Sequence, residues 1–580
     1  MPPRQPPRRP PMARPLSGST APRGSAPRGS RGGRSPLPAT GITVALLAVV
    51  GVALLVGAAV FAGASPGSPA SPDPGASGAA VASVSPAAGG QPGGASPNPS
   101  SPAASAGPSP QPGSGELPLA LVADVRDLRE SLTVAQLKKE LAAGRVALPC
   151  GLAELSLDAV PVTYDAGACV DAAKITAAVR SAKPRLGLLP AALVTPRVKV
   201  LRIGNADLFG APRFRSNPYP LIARAAKAPA AWAGFDPAEV RTIISTGETC
   251  PDRGVSYWAN TKKKGWDWVL DGGTARYTGI GIDRRFDGPD GNGWPVVKAV
   301  RSGNEGAVRT LISDAELTIG DFECPMTSDF VQHDTGTVFS IDPKVAPLLA
   351  RSGIDVVTLA SNHITDQGID ALQETMDLLD DAGVRWFGAG MNLAQARKPA
   401  VIDVRGVRFA FVGFNEIPGS RKAGPTAAGV TWLTETNVRA AVAAARKVAD
   451  VVIVVPQWAW PEYHAEFTAR QEEQMQLFWD AGADHVVGHG THWSSAISIT
   501  KGDRGSRVAI SSHGNFLFGQ DWSRQTQEGV LPELTFVGTR LVQVRLHPYI
   551  VMDQAQPNLI TPTTDGKHVL NQVWSVSQLP

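Results

Sequence analysis

The chain has 580 residues, enough for more than one domain, and its 43% hydrophobic content is that of an ordinary globular protein. Its formal charge of +4 belongs to the N-terminal end: eight Arg and no Lys, Asp or Glu precede residue 64, so residues 65–580 carry a net −4. A basic nucleic-acid-binding face on the folded part is therefore not indicated.

Residues 1–40 read as a disordered basic tail on the cytoplasmic side. Residues 41–64, GITVALLAVVGVALLVGAAVFAGA, contain no charge. As a helix they would span a bilayer core of about 30 Å. The Arg cluster before them predicts a single-pass anchor with the C-terminal part extracytoplasmic. A cleaved signal peptide ending at Ala62-Gly63-Ala64 is the alternative, and it exports the same residues. Residues 65–116 are almost entirely Ser, Pro, Ala and Gly, the composition of a disordered spacer.

A small α/β domain is expected over residues 117–239. LTVAQLKKELAAGRV (132–146) has helical apolar spacing, and VKVLRI (198–203) alternates like a strand. The pattern is faintly similar to a lobe of a solute-binding protein. Cys150 and Cys169 fall here, as a disulfide or as two buried thiols.

From residue 240 to 546, apolar strands alternate with amphipathic helices, implying an α/β fold with its site at the strand C-terminal ends. IDVVTLA (354–360), VRFAFVGF (407–414) and VVIVVPQW (451–458) read as strands. GIDALQETMDLLDDAG (368–383), NVRAAVAAARKVAD (437–450) and a segment around 470–480 read as helices. Residues 547–580 form an extension. Five polar clusters follow five apolar strands: Gly247-Glu248, Asp321-Phe322-Glu323, Ser361-Asn362-His363, Gln457-Trp458 and Gly488-His489-Gly490-Thr491-His492. All nine His lie beyond residue 332. Carboxylates, Asn and His gathered on one sheet rim suit a divalent cation and phosphate chemistry. Trp458, Trp460 and Trp493 lie near that rim, as core or as the lining of a polymer groove.

These motifs resemble the CapA family of poly-γ-glutamate capsule synthesis proteins, itself similar to calcineurin-like metallophosphoesterases. The resemblance covers about residues 240–520. It rests on Gly247-Glu248-Thr249-Cys250-Pro251-Asp252-Arg253-Gly254-Val255, on Asp321-Phe322-Glu323-Cys324-Pro325-Met326-Thr327, and on Ala360-Ser361-Asn362-His363-Ile364-Thr365-Asp366-Gln367-Gly368. Gln457-Trp458, Gly488–His492 and Gly514-Asn515-Phe516 extend it. The resemblance implies a layered αββα metallophosphoesterase-like domain acting on an anionic capsule or cell-wall polymer, beside membrane-embedded synthase subunits. It implies Glu248, Asp321, Glu323, Asn362, His489 and His492 as metal ligands, with His363, Asp252 and Arg253 as catalytic candidates. Glu248, Gln457 and Gly490 depart from the family pattern, where Asp, His and His are usual. The loss of imidazoles favours Mn, Mg or Ca over Zn, or no metal, and leaves open a metal-dependent hydrolase or a non-catalytic scaffold. Asp252-Arg253 read alternatively as a structural turn, and Asp366 as a helix cap. Cys250 and Cys324 sit inside two rim motifs and would form a disulfide if those loops are neighbours; four Cys allow three pairings.

Overall fold

The computed structural model describes residues 116–579, apart from 165–168, 182–185, 226–227, 289 and 459–460. The expected tail, anchor and spacer, and Trp460, lie outside the described residues. Among the described residues no helix is long and apolar enough to cross a membrane.

Two sheets face each other. In the larger, the strands Val240–Cys250, Leu317–Phe322, Val356–Thr358 and Arg385–Phe387 run parallel. On the other side of Val240–Cys250 come Glu528–Val537, Arg540–Met552 and Gln556–Leu559, antiparallel in sequence, and then the hairpin Thr274–Asp283 and Trp294–Gly303. In the smaller sheet, Val407–Asn415, Val451–Gln457, His485–Val487 and Gly505–Ile510 are parallel.

Strand alternation builds the layers. Phe409, Phe411, Val451, Ile453 and Val455 pack between the sheets against Ile243, Leu317, Ile319 and Val356. Their neighbours Ala410, Val412, Val452 and Val454 face outward onto helices Glu435–Arg446 and Ala469–Ala481. The outer face of the larger sheet is covered by Ala307–Ser313, Val345–Arg351 and Gly368–Ala382. Both faces of the parallel strands are buried, which explains their unbroken apolar runs. The result is the four-layer αββα order expected.

The helix expected over 132–146 is shorter, Val134–Ala142, with a Thr133–Gln136 capping box. The expected strand 198–203 is split into Val198–Val200 and Arg202–Ile203, which pair with different partners. Two domain boundaries are corrected. The break at 546/547 falls inside the strand Arg540–Met552, and the terminal helix Lys567–Val576 packs Val569, Leu570 and Val573 into the inter-sheet core. Nor is 117–239 a separately packed lobe. Its seven-stranded sheet centres on Glu116–Asp124, and Val198, Val200 and Phe209 share one core with Val240 and Val542.

A buried charge cluster locks that junction. Arg545, 1% exposed, meets Asp207 at 2.9 Å, Glu533 at 3.5 Å and Glu130 at 3.7 Å. It also donates to the Val200 carbonyl at 3.0 Å. Replacing one member of such a cluster leaves the others buried and uncompensated. Arg545→Met is expected to cost about 3–5 kcal/mol, read as a lower denaturation midpoint in urea.

Candidate functional site

Parallel strands bring their C-terminal ends to one rim, and each expected polar cluster sits at or just past such an end. Glu248 lies in register with Asp321. Gln457 and His489 form a parallel bridge. The two rims meet through side chains: Gln457 Nε2 donates to Glu323 Oε1 at 2.8 Å and to Asn362 Oδ1 at 3.4 Å. His489 Nδ1 stands 3.8 Å from Asp321 Oδ2. All of these side chains are buried.

Glu248 is the best-satisfied of the three carboxylates. Its Oε1 accepts from the backbone N–H of Gly490 at 2.8 Å and His492 at 3.1 Å, and from the Ser512 hydroxyl at 3.1 Å. Its Oε2 pairs with His492 Nδ1. Burial alone would raise its pKa, but His492 and these donors hold it at about 2. His492 is in turn raised well above the ordinary imidazole range, because the pull of Glu248 outweighs burial. The pair is ionised.

The other two carboxylates lack such compensation. Neither oxygen of Asp321 has a hydrogen-bond partner, and burial, then Glu323 and Glu248, push its pKa well up. Burial, then Glu248, raises Glu323 to about 7. His489 is lowered to about 4 by burial, and neither ring nitrogen has a partner. It stacks on His513 at 4.6 Å. His513 Nδ1 donates to the Gly488 carbonyl at 3.1 Å, which leaves its Nε2 as an unpartnered acceptor.

His513, Ser512 and Asn515, whose Oδ1 lies 2.9 Å from His492 Nδ1, were not among the expected site residues. The signal was available: they follow the apolar strand Gly505–Ile510 as the other clusters follow theirs.

Gly490 has a local reason to lack a side chain. Its φ is +109°, and a Cβ there would lie 2.3 Å from the Trp458 carbonyl oxygen. This chain has no room for an imidazole at 490; the backbone N–H serves Glu248 instead.

Asp252 and Arg253 serve a turn. The Asp252 carboxylate accepts from the N–H groups of Arg253, His333 and Ser340 at 2.8, 3.0 and 3.1 Å and pairs with His333 Nδ1 at 2.6 Å. Arg253 reaches the Gly336 carbonyl and lies over Phe339. Both hold the loop around 333–340; the Asp252 carboxylate is consumed there, whereas the buried Nε of Arg253 has no hydrogen-bond partner. Asp366 is not a cap; Gln367 occupies the N-cap of Gly368–Ala382 without a side-chain bond. Asp366 instead accepts from His363 Nδ1 at 2.9 Å. That fixes the tautomer and leaves His363 Nε2 free to take a proton.

Both expected disulfides are present, Cys150–Cys169 and Cys250–Cys324. The second joins the chain two residues past Glu248 to the residue after Glu323. Trp458 is core, its Nε1 donating to the Ser511 carbonyl at 2.8 Å.

Among the described residues no three His, Cys, Asp or Glu side chains stand in a ready-made metal-binding arrangement. The donor chemistry nonetheless fits a divalent cation. The buried oxygens of Asp321, the nitrogens of His489, Nε2 of His513 and Oε1 of Gln457 all lack partners, which a buried polar group rarely tolerates. Oxygen and imidazole donors are mixed, so the set is less oxygen-rich than expected.

The sign of one pH effect follows. Glu323 binds its proton more tightly in the fold than at its ordinary 4.5, so the cation-free protein loses stability as pH rises from 4.5 to about 7. Glu323→Gln removes that loss. In chelator, the variant should exceed the unmodified chain in denaturation midpoint at about pH 8, with the gap shrinking by about pH 5.

Residues 242–520 match the family described as bacterial capsule synthesis protein PGA_cap. The capsule biosynthesis protein CapA of Bacillus anthracis is 26% identical over 283 residues, 46% of this chain and 65% of that protein. The PGA biosynthesis protein CapA of Bacillus subtilis (strain 168) is 28% identical over 221 residues, 37% of this chain and 57% of that protein. The chain thus spans less than two thirds of the length of these curated relatives. Among solved structures, the calcineurin-like phosphoesterase YfkN of Bacillus subtilis aligns with 58% of this chain and 98% of its own, at 12% identity and a TM-score of 0.30. The region that carries the strand-end site, residues 242–520, is the part of the chain that matches the bacterial capsule synthesis protein family.

Proposed function

We propose that this chain is a membrane-anchored, extracytoplasmic accessory in the synthesis, export or trimming of an anionic capsule polymer such as poly-γ-glutamate. Its rim site, on this reading, is a cation-dependent hydrolytic centre for a γ-glutamyl amide or a phosphoester. The observation that carries the catalytic part is the buried, uncompensated set Asp321, Glu323 and His489. The relatives' names carry the polymer.

Three buried carboxylates need positive charge. His492 supplies it for Glu248. Asp321, Glu323, Asn362, His489 and His513 are the residues that would hold a divalent cation. When bound, such a cation polarises a substrate oxygen and acidifies a water. His363, held by Asp366, accepts or returns a proton at Nε2. His492 keeps a fixed positive charge beside the reacting region, and Glu462, 3.9 Å from its Nε2, borders the mouth.

Elemental analysis of the purified full chain tests the site. Bound or restorable Mn, Mg or Zn is expected, with an affinity loss of at least about ten-fold in Asp321→Asn and His513→Ala. Turnover of γ-glutamyl oligomers or phosphoesters should fall in the same variants. No cation uptake and no turnover would leave a polymer-binding scaffold as the reading. Deleting the chain from its host should reduce surface polymer, and unchanged polymer would remove the capsule role.

A further inference from the structure

The hairpin Thr274–Asp283 and Trp294–Gly303 stands at the edge of the larger sheet with Ile280, Ile282 and Phe286 more than half exposed. It is tied down at several points. Tyr277 Oη donates to Glu528 at 2.7 Å, and the Val297 N–H donates to Gln527 Oε1 at 2.7 Å. Arg285 pairs with Asp283 and Asp521, each at 2.6 Å.

Its tip starts a row of aromatic rings that runs to the site. Phe286 and Trp294 meet Trp522 at 5.6 and 5.3 Å, and Trp294 meets Trp493 at 5.9 Å. Trp522 meets Tyr463 at 5.1 Å, and Tyr463 stacks on His492 at 5.2 Å. Tyr463 and His492 both take positive φ, +64° and +57°, strain that concentrates at functional sites. Trp493 is 8% exposed, and its Nε1 has no hydrogen-bond partner.

An open cavity of about 590 Å³ is lined by Asp283, Arg284, Arg285, Asp521 and Gln527 among others; Asp283 is the register partner of Trp294, and Asp521 directly precedes Trp522. Its four charged side chains, Asp283, Arg284, Arg285 and Asp521, cancel. A polyanion gains little here. A ligand with flat, weakly polar faces and polar edges matches both the rings and the mixed carboxylate, amide and guanidinium lining.

We propose that this wall is a saccharide subsite. Pyranose rings of a neutral glycan chain stack on Trp522 and Trp294, their hydroxyls reach Asp283, Arg285, Asp521 and Gln527, and the chain leads toward His492. The proposal stands apart from the polymer reading, since poly-γ-glutamate offers no ring and carries charge.

The purified full chain is titrated with chitohexaose, maltohexaose and a γ-glutamate hexamer, by calorimetry and tryptophan emission. Saturable binding of a neutral hexasaccharide is expected, with protection of tryptophan from acrylamide quenching in the unmutated chain. Trp522→Ala should weaken it at least about ten-fold, while Trp522→Tyr keeps it within about three-fold. Cation uptake should be unchanged in both. No saturable binding of either hexasaccharide, equal affinity in Trp522→Ala, or binding of the γ-glutamate hexamer alone would overturn the proposal. The quenching readout does not depend on how well either variant folds.

Discussion

Burying the Glu248 carboxylate is the constraint around which the rim is built. A charged group out of water must be met by opposite charge and by hydrogen-bond donors. His492 provides the charge, and two backbone N–H groups with the Ser512 hydroxyl provide the donors. Those donors come from segments more than 240 residues away in sequence. The loop 488–492 must therefore bend back onto the end of Val240–Cys250, which explains Gly490 and the left-handed conformation of His492.

Once Glu248 is satisfied internally, the electrostatic demand passes to its neighbours. Asp321 and Glu323 share the same low-dielectric pocket without an equivalent partner, so their protons are held tightly. His489 and His513 stand alongside with unused nitrogens. The site is thus asymmetric, with one carboxylate compensated by imidazolium and two without a charged partner. The Cys250–Cys324 bond fixes the spacing of the two chains that supply these groups.

The N-terminal sheet is part of the same fold. It contributes Asp207 and Glu130 to the charge cluster around Arg545, and it shares apolar side chains with the edge of the larger sheet. That arrangement makes residues 117–239 a buttress of the larger sheet.

Much was legible in sequence because strand periodicity and polar punctuation are local. Mainly apolar runs in 354–360, 407–414 and 451–458 pointed to buried strands, and the polar residues at the end of each run to one rim. That rule placed the polar clusters containing Glu248, Asp321, Glu323, Asn362, His489 and His492 on the rim; their selection as ligands came from the family resemblance. What tertiary structure decided was which of them share a partner. The spending of Asp252 on His333, the arrival of His513 beside His489, and the aromatic row from Phe286 to Tyr463 all join residues distant in the chain. Such choices depend on distances of a few ångströms between segments, and no periodicity within a segment encodes them.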